Sequence, residues 1–155
     1  MVAEWGSSRV LMAADELLDA LGLPAALENA GIEVLRWPSE RPWRDLMGLD
    51  GPADTCGITV PSLAVAERGT LVLAAGPGHG RSIDVVSRYH LAVLPEDRLA
   101  ARLEDALTRV FRAPGGPASA VSLVSGPSRS SDIEKITTYG AHGALAEHVL
   151  IVSGG

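Results

Sequence analysis

The sequence predicts an α/β fold built on a mostly parallel sheet. Short apolar runs of strand length recur along its 155 residues, and segments with helical caps or helical apolar spacing stand between them. No Rossmann fingerprint and no repeat of solenoid length accompanies them. Alternation of this kind, joined by right-handed crossovers, stacks helices on a sheet. The length suits one domain, 1–155, and 46% hydrophobic residues against 21% charged is the balance of a chain that folds around a core.

Val10–Ala13 is the first apolar run, and Asp15 behind it is a residue type that caps a helix burying Leu17, Leu18 and Leu21. A second short helix can begin at Pro24, where the missing N–H costs little, and end near Gly31, where a left-handed backbone is easy. Ile32–Leu35 then reads as a strand. From Trp37 to Gly57 prolines and glycines are mixed with charges, which predicts an irregular connection. Trp5, Trp37 and Trp43 flank this half of the chain and can pack the edge of the core or anchor an interface. Pro61–Arg68 fits a short helix closed by Gly69, and Thr70–Ala75 fits a strand covered on both faces. His90–Leu94 is a similar run, followed by a helix with Leu99, Leu103, Ala106, Leu107 and Val110 at helical spacing. Beyond the Pro/Gly-rich turn region Arg112–Ala118, Val121–Val124 and His148–Val152 read as two more central strands, with a helix over Asp132–Tyr139 between them.

Charge and cysteine usage exclude several classes of function. The formal net charge is −6, and the 13 Lys and Arg residues are scattered rather than gathered into a stripe that follows a phosphate backbone, so no nucleic-acid partner is expected. The single cysteine, Cys56, allows no internal disulfide and no self-contained iron–sulfur cluster, which needs a set of thiolates. It reads as a small buried hydrophobe, and this usage fits a reducing, cytoplasmic compartment. The N-terminus lacks the basic-then-apolar pattern of a signal peptide, and no run approaches the roughly 20 apolar residues of a membrane helix. No histidine spacing suggests a metal, and no cofactor is expected.

Four loops carry the chemistry-bearing residues. Ser125–Glu134 follows an expected strand and opens an expected helix, so the loop's N–H groups with Gly126, Ser128, Arg129, Ser130, Ser131 and Asp132 can hold a phosphate or carboxylate; equally, Ser131 or Asp132 can simply cap the helix. Gly76–Ser82, with Gly78, Gly80 and Arg81, is a glycine-rich turn at a strand's carboxyl end without P-loop spacing. Its glycines suit either a closely approaching ligand or a backbone needing positive φ. Glu67, ahead of Gly69 and Thr70, can serve as general base, nucleophile or ligand contact, or as a solvated residue at a helix end. His142, bracketed by Gly140 and Gly143, is the histidine best placed at an open loop edge, where it can titrate near neutrality or make an ordinary loop hydrogen bond.

Gly57-Ile58-Thr59, Ala64–Leu73, Gly80-Arg81, Ser125–Glu134 and Gly140–Gly143, in that order, resemble the LUD domain family in the form found in lactate-utilisation protein C. Arg68 departs from the pattern, standing where the family more often has threonine. The resemblance implies a three-layer α/β/α fold similar to that of sugar-phosphate isomerases, glucosamine-phosphate deaminases and CoA transferases. It also implies a role in a system oxidising L-lactate to pyruvate, in which iron–sulfur partner proteins carry the electrons and this chain is the cluster-free subunit. On that reading Ser128, Arg129 and the helix start at Asp132 hold a small anionic ligand, with Glu67 and His142 lining the same pocket. Two other readings stand beside it: a stand-alone enzyme acting on an acyl-CoA or phosphorylated metabolite through Glu67, and a regulatory binding module without turnover.

Overall fold

The computed structural model describes residues 1–38, 55–114, 118–131, 137–139 and 143–154. The strands in chain order are β1 (Arg9–Met12), β2 (Glu33–Arg36), β3 (Thr55–Thr59), β4 (Leu63–Val65), β5 (Thr70–Ala74), β6 (Tyr89–Pro95), β7 (Leu99–Ala100), β8 (Val121–Val124), β9 (Arg129–Ser131), β10 (Thr137–Tyr139) and β11 (Ala146–Val152). The helices are α1 (Glu16–Ala20), α2 (Leu23–Asn29), α3 (Ile83–Val86) and α4 (Leu103–Phe111).

Five strands pair in the order β11-β6-β3-β1-β2, and every pair in this sheet is parallel. The period-2 alternation of a strand decides which side chains go where. Val10 and Met12 of β1, with Cys56 and Ile58 of β3 and Leu91 and Val93 of β6, point to one face and pack on Leu18 of α1 and Leu27 of α2. Leu11 and Ala13 point to the other face, where they meet Ile83 of α3. Ala92 and Leu94 on that same face meet Ala64 and Leu71 of a second sheet, ordered β7-β4-β5-β8. Helix α4 closes the outer side of the second sheet, with Ala106 and Val110 against Leu63, Val65 and Val72. The layers therefore run helices, parallel sheet, mixed sheet, helix.

The expected signals are present at the start of α1, where Asp15 caps the helix, and just past the end of α2, where Gly31 has φ +77. Asp15 has extended backbone, and its carboxylate accepts from the Leu17 N–H at 2.9 Å at the start of α1. Gly22, at φ +64, turns the chain from α1 into α2, and its left-handed conformation favours glycine.

Other elements depart from the sequence expectation. Pro61–Arg68 is not a helix: Leu63, Ala64 and Val65 are all buried, which suits a strand between two layers, and Ala66–Gly69 forms the turn of the β4–β5 hairpin. Leu99 lies outside the following helix, because Leu99 and Ala100 pair with β4 before α4 begins at Leu103. Thr55–Gly57, placed within the irregular connection, belong to the middle strand of the parallel sheet, and residues 39–54, Trp43 among them, lie outside the described residues. The expected helix over Asp132–Tyr139 gives way at its end to β10, which pairs antiparallel with β9; residues 132–136 lie outside the described residues. β8 and β11, expected to be central, are the edge strands of their sheets. Among the described residues no helix is long and apolar enough to cross a membrane.

Candidate functional site

The second position of β6 breaks an apolar strand with a histidine. His90 points to the second face of the sheet and is 1% exposed. Its Nε2 lies 2.8 Å from Thr59 Oγ1 on β3. The parallel register sets Glu147 of β11 directly beside it, with Nδ1 and Oε1 3.3 Å apart. Asp84, on the one-turn helix α3, is buried as well. These three side chains line a cleft of about 410 Å³ whose other wall is Ser122–Gly126, Ser128, Gly143 and Ala144.

Asp84 Oδ1, His90 Nδ1 and Glu147 Oε1 have no hydrogen-bond partner among the described residues. Nδ1 and Oε1 are within ion-pair reach, but the pair is not aligned as a hydrogen bond. Buried polar atoms in this condition are costly and concentrate where a ligand or a proton is handled. Burial pushes the Asp84 carboxyl above the ordinary aspartate range and the nearby Glu147 adds to this, while its own backbone and His90 pull the other way. Above the unfolded aspartate pKa, near 4, the unfolded chain releases this proton more readily than the folded one, so Asp84 lowers stability at neutral pH. Asp84→Asn should therefore raise the urea midpoint at pH 7, and the gain should vanish below about pH 4. An unchanged midpoint at pH 7 would contradict the burial argument.

The facing wall is held by backbone. Ser128 N–H donates to the Ala144 carbonyl at 2.9 Å, and Gly143, at φ +131, brings its Cα so near that an added Cβ would lie 3.2 Å from Ser128 Cβ. Thr70 Oγ1 and Ser125 Oγ, 2.7 Å apart, tie this wall to β5.

A family model of the LUD domain matches residues 2–152. The chain belongs to the LUD domain family. Lactate utilization protein C of Halalkalibacterium halodurans is 31% identical to it over 155 residues, covering 98% of this chain and 66% of that protein. Lactate utilization protein C of Shouchella clausii is 30% identical over 150 residues, covering 96% and 64%. This LUD domain thus spans a little under two thirds of the length of these relatives. The crystal structure of a DUF162 family protein from Deinococcus radiodurans superposes with a TM-score of 0.55 at 19% identity, covering 99% of this chain and 92% of that one, and so shares the fold.

Within the LUD domain the residues singled out from sequence separate into groups. Gly126, Ser128 and Gly143 line the Asp84–His90–Glu147 cleft, and Thr70 reaches it through Ser125. Glu67 and Gly69 do not line it: they lie in the exposed β4–β5 turn, where Glu67 Oε1 accepts from the Leu103 N–H at 3.1 Å and so serves the first turn of α4. Arg81 is exposed, and Gly80 packs on the Trp37 ring, where an added Cβ would come within 2.7 Å. Gly78 abuts the Ala14 carbonyl with no room for a side chain and lines a different cleft. Arg129, exposed, together with Ser130 and Ser131, forms β9, so a strand rather than a helix start follows the Ser125–Ser128 turn. Asp132 and His142 lie outside the described residues.

Sequence reasoning passed over Asp84 and Glu147 and ranked His90 below His142. A signal was present for two of them: His90 is a polar residue at the second position of β6, and Glu147 holds the second position of β11, just ahead of His148 and the apolar run Val149–Val152. Register makes those matching positions neighbours, and register was not readable. Cys56 is fully buried, and burial pushes its thiol up to about 12. The native protein should accordingly resist a thiol reagent at pH 8 and react in full once unfolded in urea; rapid native labelling would refute this. Among the described residues no group of His, Cys, Asp or Glu is arranged to hold a metal ion.

Proposed function

We propose that this LUD domain works in lactate utilisation, in the cytoplasm, as the cluster-free component of a system whose iron–sulfur partner proteins carry electrons from L-lactate on the way to pyruvate. The observation that carries the reading is the alignment, over nearly the whole chain, with two relatives named lactate utilization protein C. The buried, protonated Cys56 supports the division of labour, because electrons cannot pass through a cluster that one such thiol does not hold. In this reading the Asp84–His90–Glu147 cleft binds a small anionic metabolite. Its hydroxyl or amino hydrogens meet the carboxylates, and its anionic end is turned toward the Gly126–Ser128 turn and away from Asp84 and Glu147.

Deleting the chain from its native cell should abolish growth on L-lactate while growth on glucose persists. Wild-type complementation should restore it, and Glu147→Gln should restore it poorly at equal protein level. Unimpaired growth of the deletion strain on lactate would overturn the proposal. Tagged wild-type protein from lactate-grown cells should bring down iron and lactate-dependent dye reduction, and recovery free of both would count against the partner assignment.

A further inference from the structure

The parallel sheet changes winding direction at β1, which has β2 on one side and β3 on the other. Open α/β sheets hold ligands outside the carboxyl ends of the strands at such a switch point, because the connections there diverge to opposite faces and leave a crevice. Here that place is a cleft of about 270 Å³, reached by Asp15 just beyond β1, Ser62 just beyond β3, and His79 and Arg98. It shares no lining residue with the cleft that holds His90.

Its walls are fixed by backbone contacts. Ala14 N–H donates to the Gly78 carbonyl at 2.8 Å, and Gly76 and His79 exchange a pair of backbone hydrogen bonds at 3.1 Å, which together pin the turn carrying His79 against the end of β1. Arg98 is half-buried, and its Nη1 donates to the Pro61 carbonyl at 3.1 Å. That anchor holds the guanidinium at the cleft and uses only part of its donor set. Among the described residues no carboxylate lies within ion-pair distance of it. Asp15, the acidic group in the lining, has Oδ1 occupied by the Leu17 N–H. Burial lowers the proton affinity of His79, with Asp15 opposing it, so the ring serves the cleft as a polar donor or acceptor and the guanidinium supplies the positive charge.

We propose that the switch-point cleft is an oxyanion site, gripping a carboxylate or phosphate group through the remaining N–H donors of Arg98 and the Ser62 hydroxyl, with His79 as the neighbouring polar wall. A planar guanidinium suits both oxyanions, since each presents two oxygens to its fork. The site stands independently of the lactate-utilisation reading, and its test uses the isolated chain.

The experiment titrates the purified full chain with sodium acetate and, separately, with inorganic phosphate at constant ionic strength, following the His79 ring and Ser62 amide resonances. Saturable shifts in the millimolar range are expected with at least one anion. Arg98→Gln should weaken that binding roughly tenfold or more, the scale of a lost charge-assisted bond. Ser62→Ala should weaken it several-fold in a protein with unchanged melting temperature, which keeps the test decisive if Arg98→Gln fails to fold. Arg109→Gln, the same charge change on the exposed side of α4, should leave binding intact. Saturation by acetate alone assigns a carboxylate and by phosphate alone a phosphate group. Absence of saturation with both, or binding that survives Ser62→Ala and Arg98→Gln unchanged, overturns the proposal.

Discussion

Replacing His90 with alanine should lower the unfolding free energy by about 3 kcal/mol, read as a fall in the urea midpoint at unchanged m-value. The imidazole is 1% exposed, so its removal leaves a void that the surrounding strands can fill only in part. Thr59 Oγ1 loses its partner at 2.8 Å, and a buried hydroxyl without one is costly. Glu147 Oε1 loses the imidazole 3.3 Å away, and Asp84 loses the neighbour that lowers its proton affinity. His90→Gln should recover about 1 kcal/mol of the loss, because an amide can again meet the Thr59 hydroxyl. A loss well under 1 kcal/mol in His90→Ala would mean that the imidazole does not hold these groups together, and the cleft would lose its claim to be a built site.

Gly57→Ala should cost about as much, roughly 3 kcal/mol, by overpacking rather than by a void. An added Cβ would lie 2.5 Å from the Ile83 carbonyl oxygen and 2.8 Å from Ser87 Oγ, and that hydroxyl already donates to the same carbonyl at 2.9 Å. The first of these neighbours is backbone, so relief requires α3 to lift from the sheet, which would displace Asp84 as well. Gly69→Ala makes a useful comparison: at φ +59 and with open space around it, it should cost only the left-handed penalty, about 1–2 kcal/mol. Equal effects of the two substitutions in urea unfolding would show that close packing of α3 is not what requires glycine at position 57.

Apolar runs made β1, β2, β5, β6, β8 and β11 readable, and caps and glycines marked α1 and α2, because these signals are local. The misreadings have a common physical origin. Leu63-Ala64-Val65 carries no alternation, since both sides are covered, and a three-residue apolar stretch does not distinguish strand from helix. Thr55–Gly57, with Cys56 and Gly57, reads as the tail of a loop, although the closeness of α3 is what asks for that glycine. β8 and β11 read as central because their apolar residues suggest burial on both sides, yet Leu123, Val149, Leu150 and Ile151 are exposed at sheet edges. At the cleft, the loop residues Gly126, Ser128 and Gly143 were visible as a glycine- and serine-rich pattern. The buried partners opposite them were not, because Asp84, His90 and Glu147 come together only through strand order and register.

The exclusively parallel pairing of the five-stranded sheet also governs how fast the molecule can form. No rung of that sheet can be laid down by a tight turn, since each pair joins segments separated by a whole crossover. The entropy of closing those long loops is lost before any pairing repays it, which places refolding in the milliseconds-to-seconds regime of non-local topologies rather than the microseconds of a helical bundle. Until β11 docks on β6, the apolar edges of both strands are open to neighbouring chains. The yield of renatured protein should therefore fall steeply as chain concentration rises, with second-order association competing against a slow first-order search.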